Sequence, residues 1–177
     1  MLRLICLSLY YGFLQFLPKS SFPVFGKFFR LLRYLCCRNI FEYCGKNVNI
    51  ERRVYFGGGK KIRIGDNSGI GIHCVVPSDI LIGDNVMMGP KCYILDANHK
   101  FSRTDIPMIF QGHSERKQTI IENDVWIARQ VLISPGRYVK KGTIVAAGCV
   151  LTKDFDEFSI VGGNPSRLIR ERRNIYE

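Results

Sequence analysis

An aliphatic side chain returns at every sixth residue through much of this chain, and few folds satisfy that spacing. The first run is Ile64, Ile70, Val76, Ile82, Met88 and Ile94; the second is Ile121, Ile127, Ile133, Val139, Val145 and Leu151. A helix repeats every 3.6 residues and a strand every two, so neither alone explains a period of six. A solenoid does: each short strand ends at a corner, and three strands complete one triangular coil. Four positions after each aliphatic residue the side chain is often small, as at Ser68, Cys74, Cys92, Thr143 and Cys149, with Val86, Val125 and Val131 slightly larger. A narrow prism closes without voids only when small residues pack beside large ones. Gly or Ala often follows the aliphatic residue, as at Gly71, Gly89, Ala128 and Ala146, where the backbone must bend. The spacing predicts a parallel β-helix over residues 46–160, with Val48 and Val54 as a ragged start before Gly57-Gly58-Gly59.

Residues 100–120 leave this register. An insertion of that kind departs at a corner and projects from one face, usually the binding face, and loops of such length in compact domains are usually functional. Counting hexads around three faces puts Ile70, Met88, Ile127 and Val145 on one face and stacks Ala128 with Ala146. Stacked alanines leave backbone amides open to close approach by a slender ligand, although ordinary hexad packing also produces such pairs.

The flanks differ from the repeat. Residues 1–45 read as a helical segment: Leu2 to Leu17 is apolar with aromatics, and a second amphipathic helix spans Phe25 to Tyr43, with Phe28, Leu31, Leu32, Leu35 and Cys36 on one side. Positions 1–41 carry six basic residues and no acid. The first apolar run is shorter than the ~20 residues of a spanning helix, and Arg3 makes a weak signal-peptide start with no clean cleavage site after it. Two readings remain open: a cap over the end of the solenoid, whose unpaired backbone invites edge pairing, or attachment to an anionic membrane surface. Residues 161–177 read as a short helical tail that starts at Asn164-Pro165, an N-cap and first-turn pair, and carries Arg167, Arg170, Arg172 and Arg173.

The net charge of +11 raises nucleic acid, anionic membrane or phosphorylated small molecules as partners. No basic reading helix or aromatic platform is visible, which argues against nucleic acid. Seven cysteines, odd in number and without a CxxC pair, fit free thiols in a reducing cytoplasm better than a disulfide framework.

Several motifs add a resemblance. The hexads, Asn98-His99-Lys100-Phe101-Ser102, Asp124-Val125-Trp126-Ile127 and Gly162-Gly163-Asn164-Pro165-Ser166-Arg167 together resemble the hexapeptide-repeat acetyltransferases over residues 40–170. Within that family they look most like the O-acetyltransferases of sugars and surface polysaccharides. The resemblance implies a left-handed β-helix, a homotrimer with sites between subunits, and acetyl-CoA as co-substrate without a metal. It implies His99 in Asp96-Ala97-Asn98-His99 as the catalytic base, with Asp96 and Asn98 orienting it or binding the acceptor. For the cofactor it implies Trp126 beside the thioester channel, Ala128 and Ala146 along it, and Lys153 and Pro165 toward the CoA end. Arg167 and Arg170 join them by charge and position. His73 and His113 match no catalytic position and are expected to be structural or solvent-facing. Lys100 stands where maltose-type enzymes have Pro, which points to the polysaccharide branch and leaves the acceptor open. Arg137 replaces a usual inward Val; a charge inside the prism is very unfavourable, so a turn outward is expected. Phe155 is too large for an inward position, consistent with the end of the repeat.

Direct transfer is the expected chemistry. The inward cysteines are poor nucleophiles when buried in apolar surroundings, and no Ser sits in a nucleophile elbow. The paired-His spacing of a zinc site is absent. An acyl carrier protein as donor and a non-catalytic scaffold are the alternatives.

Overall fold

The computed structural model describes residues 1–172, so Arg173 and the last residues of the expected tail lie outside it. Two-residue strands climb a three-sided coil. The first face stacks Tyr43–Cys44, Arg63–Ile64, Leu81–Ile82, Ile120–Ile121 and Tyr138–Val139. The second stacks Asn49–Ile50, Gly69–Ile70, Met87–Met88, Trp126–Ile127, Ile144–Val145 and Ser159–Gly162. The third stacks Tyr93–Ile94, Leu132–Ile133 and Val150–Leu151, extended downward by bridges from Val75 to Tyr93 and Tyr55. This is the left-handed parallel β-helix that the hexads and the resemblance implied. All twelve hexad aliphatics are buried, from fully enclosed Ile64 to Met88 at 7% exposure. Ser68, Cys74, Cys92, Thr143 and Cys149 are buried beside them.

The solenoid begins earlier than the hexads implied. Tyr43–Cys44 and Asn49–Ile50 already pair with the strands above. Val48 and Val54 fill the small inward positions of this coil, while Ile50 and Phe56 take the large ones. Arg137 turns outward as expected: its guanidinium bonds the carbonyls of Pro135 and Thr152 and lies 3.5 Å from Asp154.

Two helices, α1 (Leu2–Gly12) and α2 (Gly26–Arg38), close the lower end. The Tyr10 and Tyr11 hydroxyls donate to the Val54 and Gly57 carbonyls, both at 3.0 Å. The face of α2 that meets the solenoid is only in part the one hydropathy selects: Cys36 is buried and Leu32 packs against the core. Phe28, Leu31 and Leu35 are about half exposed, and Arg33 is fully enclosed. The reason lies in the first coil. Arg33 Nε donates to the Ile50 carbonyl at 2.6 Å and Nη1 to Pro18 at 3.0 Å, while Nη2 sits 3.6 Å from Glu51. Burial alone would raise the Glu51 carboxyl, but hydrogen bonds from Ser20 and Asn49, with Arg33 beside it, hold it below its ordinary range. An enclosed charge is tolerable only with such partners.

The expected C-terminal helix is absent from the described residues. Arg167–Glu171 is a strand, antiparallel to Ser159–Gly162. Asn164-Pro165 forms the turn of this hairpin, not a helix start. Pairing with the open upper edge of the second face satisfies backbone groups that a separate short helix would leave exposed.

Candidate active site

The loop starts where the third face passes to the first. Its base is a two-stranded ribbon: Lys100 N–H donates to Gly112 O at 2.9 Å, and Ser114 N–H to Asn98 O at 2.7 Å. The Ser114 hydroxyl also closes on Asn98, accepting its N–H at 3.2 Å. His99 and His113 face each other across the ribbon, rings 4.4 Å apart and tilted 34°. His113 is therefore the direct neighbour of His99, which hexad counting could not reveal because the ribbon lies outside the register. Asp96, Asn98 and His99 are all exposed. The Asp96 carboxylate faces Arg116 at 3.7 Å, and Arg116 also holds Asp79 at 3.1 Å. At the tip, the Gln111 amide donates to the Arg103 and Ile106 carbonyls, both at 2.7 Å. Phe101, Met108, Ile109 and Phe110 stand in solvent there.

The expected cofactor residues gather elsewhere. Trp126 is half exposed on the second face, in line with Met87 below and with Ile144 and Ile160 above. Arg170 pairs with Ile160 and thus ends the same column. At the edge between second and third faces, Gly89, Ala128, Ala146 and Gly162 stack. A Cβ added to Gly89 would lie 2.8 Å from the Ala128 backbone, and one on Gly162 would lie 3.1 Å from the Ala146 side chain. Close stacking of the coils therefore keeps this column to glycine and alanine, and the Ile169 side chain covers its upper end, 2.9 Å from where a Gly162 Cβ would stand. Arg167 pairs with Gly162 and sits at its upper end. Pro165 lies in the turn beside it, where Ser166 Oγ accepts from Thr152 N–H at 3.1 Å. Lys153 is apart: its ammonium lies 5.3 Å from the Phe155 ring centre, at the edge between third and first faces. The expected site residues thus fall into two groups, candidate half-sites: His99 and Lys153 near one edge, Trp126, the alanines and the two arginines at another.

Below Ala128 the second edge turns basic. Arg53, His73 and Lys91 occupy equivalent corner positions with φ of 55°, 58° and 60° in successive coils, with Arg52 and Arg129 one residue earlier in theirs. Among the described residues none of the five forms an ion pair with an acid. Burial, then Arg53, Arg52 and Lys91, hold the His73 imidazole below its ordinary value. The edge between the first and second faces differs: there Asp66, Asp84 and the neutral Asn123 accept backbone N–H bonds from the coil below at 2.7 Å. This separation of charge is visible in the sequence only once corner residues are stacked coil over coil.

No family model matches the chain. Galactoside O-acetyltransferase of Escherichia coli is 30% identical over 136 residues, 76% of this chain and 66% of that protein. A Saccharomyces cerevisiae protein named among the acetyltransferases is 33% identical over 136 residues, 76% of this chain and 68% of its own length. The chain thus spans about two thirds of the length of these curated relatives. A hexapeptide-repeat acetyltransferase of Vibrio cholerae, solved with acetyl coenzyme A, superposes with a TM-score of 0.77 at 27% identity, covering 98% of this chain and 88% of that one. Hexads, fold and these likenesses agree: the chain belongs to the hexapeptide-repeat acetyltransferase family, in its sugar O-acetyltransferase branch.

Proposed function

We propose that the protein moves an acetyl group from acetyl-CoA to a saccharide hydroxyl, with His99 as general base. The observation that carries this reading is an exposed imidazole held on a hydrogen-bonded ribbon at the root of the one long loop. His99 takes the proton of the acceptor hydroxyl, and the oxygen attacks the thioester carbonyl. The C–S bond breaks, and the CoA sulfur leaves with the proton that the imidazolium returns. A positioned base contributes ~10²–10⁴-fold, and the thioester is already activated. Asn98 and Asp96 bind the acceptor, the Asp96 carboxylate lying 3.7 Å from the Arg116 guanidinium. CoA lies along Trp126, Ala128 and Ala146, with its phosphates toward Pro165, Arg167, Arg170 and a Lys153. The small side chains of the alanine column suit a pantetheine arm.

The half-sites lie on different edges, which favours a homotrimer whose sites form between copies. The basic run below Ala128 favours an acidic or phosphorylated saccharide over a neutral one, in keeping with surface polysaccharide assembly in the cytoplasm beside a membrane. The test is His99→Ala, assayed by thiol release from acetyl-CoA with neutral and phosphorylated sugars, while quenching of Trp126, the single tryptophan, reports cofactor binding. Lost turnover with retained quenching supports the reading. Full turnover in the variant leaves a scaffold or another base as the better account.

A further inference from the structure

The helical cap is built with its apolar residues outward. On α2, Phe28, Leu31 and Leu35 form one stripe at helical spacing and are 53%, 48% and 47% exposed. On α1, Leu2, Ile5 and Leu9 form another, at 61%, 56% and 47%. The connection between the helices exposes Phe22, Val24 and Phe25 as well. Water-soluble surfaces rarely gather so many large apolar groups without a partner. These groups cannot fold back under the cap, because the inward positions are taken. Arg33 and Cys37 fill the α2 side, Cys6 and Tyr10 the α1 side, and the Cys36 thiol joins the helices through the Cys6 carbonyl at 3.0 Å.

We propose that this cap docks on an anionic lipid surface, with the two stripes in the headgroup boundary. Charge selects the occupant. Residues 1–41 contain no acid, and Lys19, Lys27 and Arg38 are exposed around the stripes without an ion pair among the described residues. A second copy seated on this face would set cations against cations, whereas anionic headgroups neutralise them. The helices lie on the bilayer and do not cross it: no described helix is long and apolar enough to span a membrane. Apolar side chains rimmed by Lys and Arg are the composition of such interfacial helices. Docking in this way leaves the loop and both half-sites free, since they sit on coils above the cap.

The inference is independent of the catalytic reading, and its test requires no turnover. The full chain is floated with phosphatidylglycerol-containing vesicles and with pure phosphatidylcholine vesicles. Binding is expected to the first far more than to the second, and to weaken as salt screens the headgroups. Leu31→Glu and Phe28→Glu, at exposed positions that disturb no core contact, should remove flotation with the β-sheet signal unchanged. Lys27→Ala should weaken it about fivefold, the loss of one cation near an anionic surface. Equal binding to both vesicle types overturns the proposal, as does flotation of Leu31→Glu at the wild-type level. So does a cap that binds neither vesicle; a smaller assembly for Leu31→Glu in light scattering would then mark the face as a contact between copies.

Discussion

The solenoid and its helical cap sort side chains by opposite rules. In the solenoid every hexad aliphatic points inward, and strand residues that carry charge, such as Arg63, are exposed; in the cap an arginine is enclosed and phenylalanines face out. The difference follows from what each element can satisfy on its own. A coil pairs its backbone with the coils above and below, so its interior needs only apolar volume. The cap meets the first coil where carbonyls such as that of Ile50 lack a strand below, and Arg33 supplies donors that no aliphatic residue has. Polar need as well as hydropathy chose the inner face of α2.

The comparison can be broken at its ends. The largest effect belongs to the solenoid's loop: His99→Ala should lower kcat by about 10²–10⁴ with thermal unfolding unchanged, measured by initial rates and circular dichroism. Next comes the enclosed pair. Removing one partner, Arg33→Ala or Glu51→Ala, should destabilise the cap by about 3–5 kcal/mol, read by denaturant titration. The double change Arg33→Met with Glu51→Leu should recover most of that loss, since paired apolar replacements are often neutral. If Arg33→Ala alone is neutral, the cap is held by its tyrosines and the contrast fails. Arg170→Ala and Lys153→Ala should each raise the KM for acetyl-CoA about tenfold, the scale of one charged hydrogen bond. An effect of Arg170 alone would locate the cofactor on one edge and argue against sites shared between copies. The smallest effect is one of pH. Because the Glu51 carboxyl is depressed in the fold, its contribution is complete above the unfolded value of about 4.3 and fades as pH falls through the lower folded value. Melting curves of wild type and Glu51→Gln should therefore converge in strong acid.

What could be read in advance was whatever repeats. The hexads located all twelve large inward aliphatics from Ile64 to Leu151, the outward turn of Arg137 and the stacking of Ala128 on Ala146, because a register error of one would expose a whole strand. What depended on distant partners was hidden. Val48 and Val54 kept the six-residue step but occupied the other inward position. Asn164-Pro165 carries a local helix signal, yet the free edge of Ser159–Gly162 recruits the following residues as a strand. His113 becomes a neighbour of His99 only when the ribbon closes. The roles of Asp96, Asn98 and Lys153 rest on motif likeness. Of these, Asp96 faces Arg116 at 3.7 Å, a partner far off in sequence.

One feature of the loop bears on how such proteins diversify. It leaves after Ile94 and returns at Ile120, yet Leu81 and Ile82 pair with Ile120 and Ile121 as though nothing intervened. The chain can thus exchange the whole excursion, changing its length and chemistry, without altering a single inward position of the coil. Loop chemistry and thermal endurance become separately heritable traits, one written in the excursion and the other in the repeat.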